Sequence, residues 1–368
     1  MENKNEIILG EKTLKEIWEI PKSIEKSISK VKNREKIKEI AKKIVDSNCV
    51  SMYILASGTS YHAGLVSTYW FSQYAKYPAH CELAPEFPYL VEPIIAKKHC
   101  VICISQSGES ELTVLSAKKS LEAGAFVISI TNDSESTLAK ITGENTILTT
   151  AGIEESVLAT KTYVCQLAVL AALTLDLGFY RKTLEEKLYY DLWDELETLP
   201  KLIETILPKY RDDIQKIAPF FKFGTKAFTI GAGPDYPNCM EAALKLKEGA
   251  QIFAQAFSTA EYVHGPVTLA SPYTFVLTII PRPAIKMRHD DVIKLIHRLK
   301  NRGVTVLGIK NANDNIEELD ISIDIPECND SFAPILSIIP IQLLTVEIAT
   351  IKNINCDTPK FLSKISKL

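Results

Sequence analysis

The 368-residue sequence has little net charge: 42 lysines and arginines stand against 45 aspartates and glutamates, a formal balance of −3. That gives no electrostatic reason to expect a nucleic acid or an anionic membrane as partner, although one locally positive pocket could still take a small anion. A cysteine framework is also lacking. The eight cysteines are scattered, and the one close pair, Cys100 and Cys103, sits in "HCVICIS". That segment reads as a strand, where side chains three apart face opposite ways, so a shared metal or redox role is excluded. Reduced thiols acting as small hydrophobes fit the cytosol. Neither GxGxxG nor GK[ST] follows any strand-like run, which removes the dinucleotide and P-loop signatures. The start, "MENKNEIILGEKTLKEIWEI", has charges and no apolar core, so no secretory signal is expected. The most membrane-like stretch, "FAPILSIIPIQLLTVEIATI", carries Pro340, Gln342 and Glu347 and reads as a buried helix. The expectation is a soluble, cytoplasmic protein that needs no metal or cofactor and binds neither nucleic acid nor membrane.

What the sequence does have is rhythm. Residues 1–48 are rich in Lys, Glu and Ile at helical spacing and read as a helical segment. Short apolar runs then alternate with amphipathic helices: "SMYILAS", "AHCELA", "HCVICIS", "FVISIT" and "NTILTT". Such alternation predicts parallel strands with crossover helices, an open α/β sheet. A mainly helical stretch covers about 155 to 220, and strands return with "KAFTIGA", "TFVLTIIP", "VTVLGIK" and "SIDIP". The second half also repeats the first. "ILASGTSYHA" aligns with "TIGAGPDYPN", matching Gly58 with Gly233 at an offset of 175 residues. Two copies of one α/β unit follow. We divide the chain into a helical segment 1–48, units at 49–200 and 201–355, and a tail at 356–368.

The copies diverge most in one turn: "SQSGES" in the first, "IPRPAI" in the second. In an open α/β sheet, ligands bind beyond the carboxyl ends of the strands, where helix N-termini offer free N–H groups. "SQSGES" lies at such a junction, and so does "SGTS" at 57–60. Their hydroxyls can bind a single phosphate through charge-assisted hydrogen bonds. Alternatively, each turn does no more than cap its helix.

Ionisable groups come from the second copy. "EAALKLKEGAQIF" reads as a helix, with Glu241, Lys245 and Glu248 on one face. Spacing alone fits a solvated salt-bridge ladder there. His264 follows in the loop "EYVHGP", and the polar tail "NCDTPKFLSKISKL" carries Lys360, Lys364 and Lys367. By composition that tail is a frayed end.

These residues together resemble a known family. "SGTSYHAGL", "SQSGES", "ATKTY", "EAALKLKE", "EYVHGP" and "DTPKFLSK" keep the order found in the sugar-isomerase half of glutamine–fructose-6-phosphate aminotransferases. The resemblance implies two flavodoxin-like, doubly wound sugar-isomerase (SIS) domains. It implies that Thr59, Ser60, Ser105, Gln106, Ser107 and Ser110 cradle a 6-phosphate, with Val157, Ala159 and Ser363 also lining the substrate. Glu248 would move a proton between C1 and C2, with Lys245 assisting. Lys364 would form an imine with the open-chain sugar, carried over it by a tail that Phe361 and Leu362 dock. His264 would open the sugar ring across a homodimer interface.

Departures from the family matter too. Its glutaminase half has no counterpart in these residues, which points to ammonia as the nitrogen partner. Ala159-Thr160-Lys161 stands where the family has Ser-Thr-Lys, Ser57 where it has cysteine, and Ser110 where it has threonine. The reading is interconversion of glucosamine 6-phosphate with fructose 6-phosphate plus ammonia, in either direction. Alternatives are a deglycase of a fructosamine 6-phosphate and a phosphosugar-binding regulator. A regulator needs only the phosphate turn.

Overall fold

A computed structural model describes residues 9–364; Lys367 lies outside the described residues. Three helices, Glu11–Trp18, Ile20–Ile28 and Val31–Asp46, open the described chain. Their isoleucines, among them Ile17, Ile24, Ile37 and Ile44, are buried in the main core. The helical spacing of the apolar residues is what gives each helix one buried face.

Ten strands follow in two sets. The first is β1 (Ser51–Ala56), β2 (Ala79–Leu83), β3 (His99–Ile104), β4 (Phe126–Thr131) and β5 (Thr146–Leu148), in the sheet order β2-β1-β3-β4-β5. The second is β6 (Lys226–Gly231), β7 (Phe253–Ser258), β8 (Phe275–Ile279), β9 (Thr305–Asn311) and β10 (Ile321–Ile325), ordered β7-β6-β8-β9-β10. Every pairing is parallel. The two sheets have the same topology, and β1 and β6 begin 175 residues apart, the offset of the sequence repeat. Both are the doubly wound α/β sheets expected. Central strands such as β3 and β8 are buried along their whole length, which is why they read as unbroken apolar runs. Cys100 and Cys103 belong to separate core clusters on the two faces of β3.

In this strand order the chain leaves β1 and β3 toward opposite neighbours. A crevice therefore opens beyond their carboxyl ends. "SGTS" and "SQSGES" follow those two strands.

The copies share one core. Helices Lys161–Tyr180, Glu186–Ile217 and Ala333–Ile351 contribute to it, as do residues of both sheets. The first and last of these are long and apolar enough to cross a membrane, but 94% and 89% of their apolar windows are buried inside the protein. Helix Glu186–Ile217 runs through residues 200 and 201, where the sequence division was drawn. Helix Asp235–Glu248 packs against helix Gly58–Gln73, bringing the second copy's charged face to the first copy's turn. It ends before Gly249, so "EAALKLKEGAQIF" is not one helix: its last residue, Phe253, opens β7.

The tail is anchored differently from expectation. Phe361 is fully exposed and docks nothing. Instead Asp357, a buried residue, accepts hydrogen bonds from the backbone N–H groups of Lys12 and Thr13, at 3.1 and 2.8 Å, and from the Thr13 hydroxyl at 2.6 Å. A residue near the end of the chain thus satisfies the free donors at the start of helix Glu11–Trp18. The carbonyl of Asp357 accepts the N–H of Val157 at 2.9 Å, and Cys356 enters the core.

Candidate active site

The crevice is a cavity of about 640 Å³. Its walls include Ser57, Thr59 and Ser60 after β1, Ser105, Gln106, Ser107 and Ser110 after β3, and Val157 and Ala159. Lys245 and Glu248 enter from the second copy, and Leu362, Ser363 and Lys364 from the tail. Residues separated by up to about 300 positions in the chain converge here, and all but one of the expected site residues are among them. His264 is the exception. It is exposed on the loop after helix Thr259–Tyr262 and does not line this cavity.

The hydroxyls of the two turns are not spent on capping. Ser57 and Ser110 are the N-cap residues of helices Gly58–Gln73 and Glu111–Glu122, yet neither side chain bonds its helix. The first-turn N–H groups of both helices have no partner within the helix, and both N-termini face the crevice. In the second turn, Ser105 Oγ donates to Ser110 Oγ and accepts from the Gly108 N–H, each at 3.1 Å. Ser107 Oγ accepts from the N–H of Glu109 at 3.2 Å. Gly108 has a positive φ of 66°, and a Cβ there would come within 2.2 Å of Ser136 Oγ. Only glycine lets the loop close this tightly. In the first turn, Gln166 donates to Ser60 Oγ at 3.0 Å. A dipole end, bare N–H groups and several hydroxyls make a seat for a phosphate-sized anion.

The charged face of helix Asp235–Glu248 is buried, not solvated. Glu241 is fully inaccessible and Lys245 is 1% exposed. Lys245 Nζ reaches Glu248 at 2.7 Å and Glu241 at 3.3 Å. Glu241 also accepts from Thr59 Oγ1 at 3.0 Å and pairs with His62 Nδ1 at 2.7 Å. Burial works against the Lys245 ammonium, but the two carboxylates outweigh it and hold its pKa above the usual lysine value. Burial likewise opposes the Glu241 charge, and Lys245, His62 and Thr59 together hold its pKa below the usual carboxylate range. Lys245 is therefore a standing positive charge beside Glu248. Thr59 ties the first turn to this network, with its hydroxyl proton already directed at Glu241.

Sequence reasoning passed over Glu154. Its carboxylate accepts the N–H of Thr160 at 2.9 Å and the Thr162 hydroxyl at 2.7 Å, closing the start of helix Lys161–Tyr180. It also receives Lys364 Nζ at 3.1 Å, and the same ammonium donates to the carbonyl of Ser156. The sequence signal was faint: an acidic pair, Glu154-Glu155, just before "SVLATKTY". Glu241 and His62 were legible as residues but not as partners, being 179 positions apart. Among the described residues, no group of three or more His, Cys, Asp or Glu is placed to hold a metal ion.

Comparison with known proteins finds the same duplication. The SIS domain model matches residues 43–175 and again 224–352. The chain is 35% identical over 351 residues to the glutamine–fructose-6-phosphate aminotransferase (isomerizing) of Thermococcus kodakarensis, and 34% identical to that of Clostridium acetobutylicum. Each match takes in 95% of this chain but only 57% and 58% of those proteins, so the chain spans little more than half their length. Among solved structures, the C-terminal domain of glucosamine–fructose-6-phosphate aminotransferase from Francisella tularensis superposes with a TM-score of 0.85 at 28% identity, covering 96% of this chain and 98% of that one. Glucosamine-6-phosphate deaminase from Thermotoga maritima, at 22% identity and a TM-score of 0.71 over 96% and 99% of the two chains, shares the fold. The chain belongs to the SIS-domain family, carrying two such domains homologous to the isomerase part of glutamine–fructose-6-phosphate aminotransferase.

Proposed function

We propose that this protein is an enzyme of sugar-phosphate metabolism that interconverts glucosamine 6-phosphate with fructose 6-phosphate plus ammonia. The observation that carries the reading is the convergence, on one cavity, of two hydroxyl-lined helix N-termini, a carboxylate beside a fixed ammonium, and a lysine on the tail.

The 6-phosphate sits against the turns at 57–60 and 105–110, held by N–H groups and by Ser60, Ser105, Gln106, Ser107 and Ser110. Val157, Ala159 and Ser363 flank the carbon chain. Lys364 leaves Glu154, loses a proton and forms an imine with the C2 carbonyl of the open ketose. Glu248 shuttles the proton between C1 and C2, with the Lys245 ammonium 2.7 Å from its carboxylate. His264 opens the ring from a second copy of the chain, so the active unit is a homodimer. No metal or cofactor takes part. Ammonia is the nitrogen partner in this reading; the eight cysteines of this chain are buried free thiols, placed as core side chains rather than as nucleophiles. Free thiols also fit a cytoplasmic enzyme.

The test is direct. Purified protein is incubated with glucosamine 6-phosphate, and separately with fructose 6-phosphate plus ammonium or plus glutamine. Release of ammonia, or formation of the amino sugar with ammonium alone, is the expected result. Tight binding of the sugar phosphates with no conversion in either direction would make the protein a phosphosugar-binding regulator.

A further inference from the structure

Lys364 is held by a device that reaches back to the first helix. The turn that receives its ammonium, through Glu154 and the carbonyl of Ser156, is itself held from behind by Glu16. Glu16 is 3% exposed. Its Oε1 accepts the N–H of Ser156 at 3.1 Å and that of Glu155. Its Oε2 is buried with no hydrogen-bond donor. Thr13, one turn earlier, bonds Ser156 Oγ and Asp357, each at 2.6 Å, so helix Glu11–Trp18 clamps the turn and the tail together.

A buried carboxyl with one bare oxygen is poorly placed to stay ionised next to a second carboxylate. Burial first, then Glu154, push Glu16 up to about 7, against the pull of the two N–H groups and Lys364. The other charges around it are largely matched. Lys12 pairs with Glu155 at 2.7 Å, Lys161 with Glu19 at 2.5 Å, and Asp357 takes the helix N–H groups. Lys15 and Glu11 border the outer hollow on the far side.

We propose that Glu16 is a positioning residue for Lys364: it fixes the turn that holds the ammonium and, with Glu154, accommodates the proton that Lys364 sheds before attacking a ketose carbonyl. The inference rests on Lys364 being the amine that reacts. The step balances. The Lys364 ammonium passes a proton to the Glu154 carboxylate, which ends the opposition of two like charges once the cation is gone. The freed nitrogen lone pair adds to the carbonyl carbon, and the carbonyl oxygen takes up the proton from nitrogen. The proton held by the carboxyl then returns to the departing hydroxyl, which leaves as water and gives the protonated imine. With Glu16 ionised the turn carries two negative charges and takes the proton readily; with Glu16 neutral it carries one. Imine formation should therefore quicken as pH rises through about 7.

Borohydride trapping with fructose 6-phosphate measures this. The initial rate of adduct formation on Lys364 is followed by peptide mass spectrometry between about pH 6 and about pH 8. The parent protein should show an inflection near pH 7. Glu16→Gln keeps an oxygen for the two N–H groups, so KM for the sugar phosphate should hold, while the inflection disappears and the rate near pH 8 falls about tenfold. Glu16→Ala, which also frees the turn, should be slower still. Trapping in the parent with no inflection near pH 7, or an unaltered profile in Glu16→Gln, overturns the role of Glu16 alone. Absence of any Lys364 adduct in the parent overturns the reading of Lys364 and this inference with it.

Discussion

The two sheets have one topology and two fates. In the first copy, a Cβ on Gly58 would meet nothing within 4 Å, and the crevice beyond β1 is open. In the second, a Cβ on Gly233, the matching glycine, would lie 2.8 Å from Nη1 of Arg288. The Arg288 guanidinium fills the place, donating to the carbonyl of Ala232 at 3.1 Å and pairing with Asp330 and, at 3.6 Å, with Asp235. Pro234 and Pro281 stand near the two strand ends, where the first copy has Thr59 and Gln106. A proline has no N–H to offer an anion. The fold makes a crevice in both copies, and the side chains decide which becomes a site. Having closed its own crevice, the second copy lends helix Asp235–Glu248 to the other.

That division of labour can be broken most severely at Glu248. Glu248→Gln should leave KM little changed and lower kcat roughly 10²- to 10⁴-fold. Exchange of the sugar C1 or C2 proton with solvent, followed by NMR, should stop with it; normal exchange would return Glu248 to a plain salt bridge.

Emptying the closed crevice is the next test. Arg288→Ala strips the cation from Asp330 and Asp235, both largely buried, and should destabilise the protein by on the order of 3 kcal/mol in denaturant titration. Sugar-phosphate stoichiometry should stay at one per chain. A second equivalent bound by Arg288→Ala would show that the arginine alone distinguishes the copies.

In the open crevice, Ser107→Ala should raise KM for a 6-phosphosugar by an amount equivalent to about 1.5–3 kcal/mol. Ser105→Ala should do so more mildly, because that hydroxyl is engaged with Ser110 and Gly108. Unchanged KM in both would reduce the turn to a helix start.

The last comparison separates Ser60 from Asp235, which hold matching places. Burial, with Asp330 adding to it and Arg288 opposing it, pushes Asp235 up to about 8. Between its ordinary value of 3.8 and about 8, the folded state keeps a proton that the unfolded state releases, so Asp235 makes stability decline as pH rises through that window. Asp235→Asn should remove the decline. Its melting temperature relative to the parent should improve from pH 5 to pH 8, and a constant difference would place Asp235 in its ionised form throughout.

Much of this was legible from local pattern. Strand runs such as "HCVICIS" announce burial on both faces, and glycine among hydroxyls marks the polar turns. The 175-residue repeat foretells two like sheets. Glu154 and Glu16 were not legible in this way: one sits in an acidic pair and the other in a charged amphipathic helix, and neither segment differs in composition from solvated surface. The tail read as a frayed end by composition, and the resemblance named Phe361 and Leu362 as its anchors; Leu362 lines the cavity, whereas Phe361 is exposed. Asp357 supplies an anchor that neither reading named, through bonds to residues more than 340 positions away.

By itself, then, the sequence determined the secondary-structure rhythm, the duplication and the chemical groups available, because these follow from periodicity and backbone preference within a few residues. Tertiary structure alone decided that Glu241 meets His62, that Lys245 is stripped of water, that Glu16 stands behind Lys364, and that Arg288 closes one of two equal crevices. Each of these depends on desolvation and on pairing across the chain, and no local stretch of residues encodes which distant charge will be the one to fill its place.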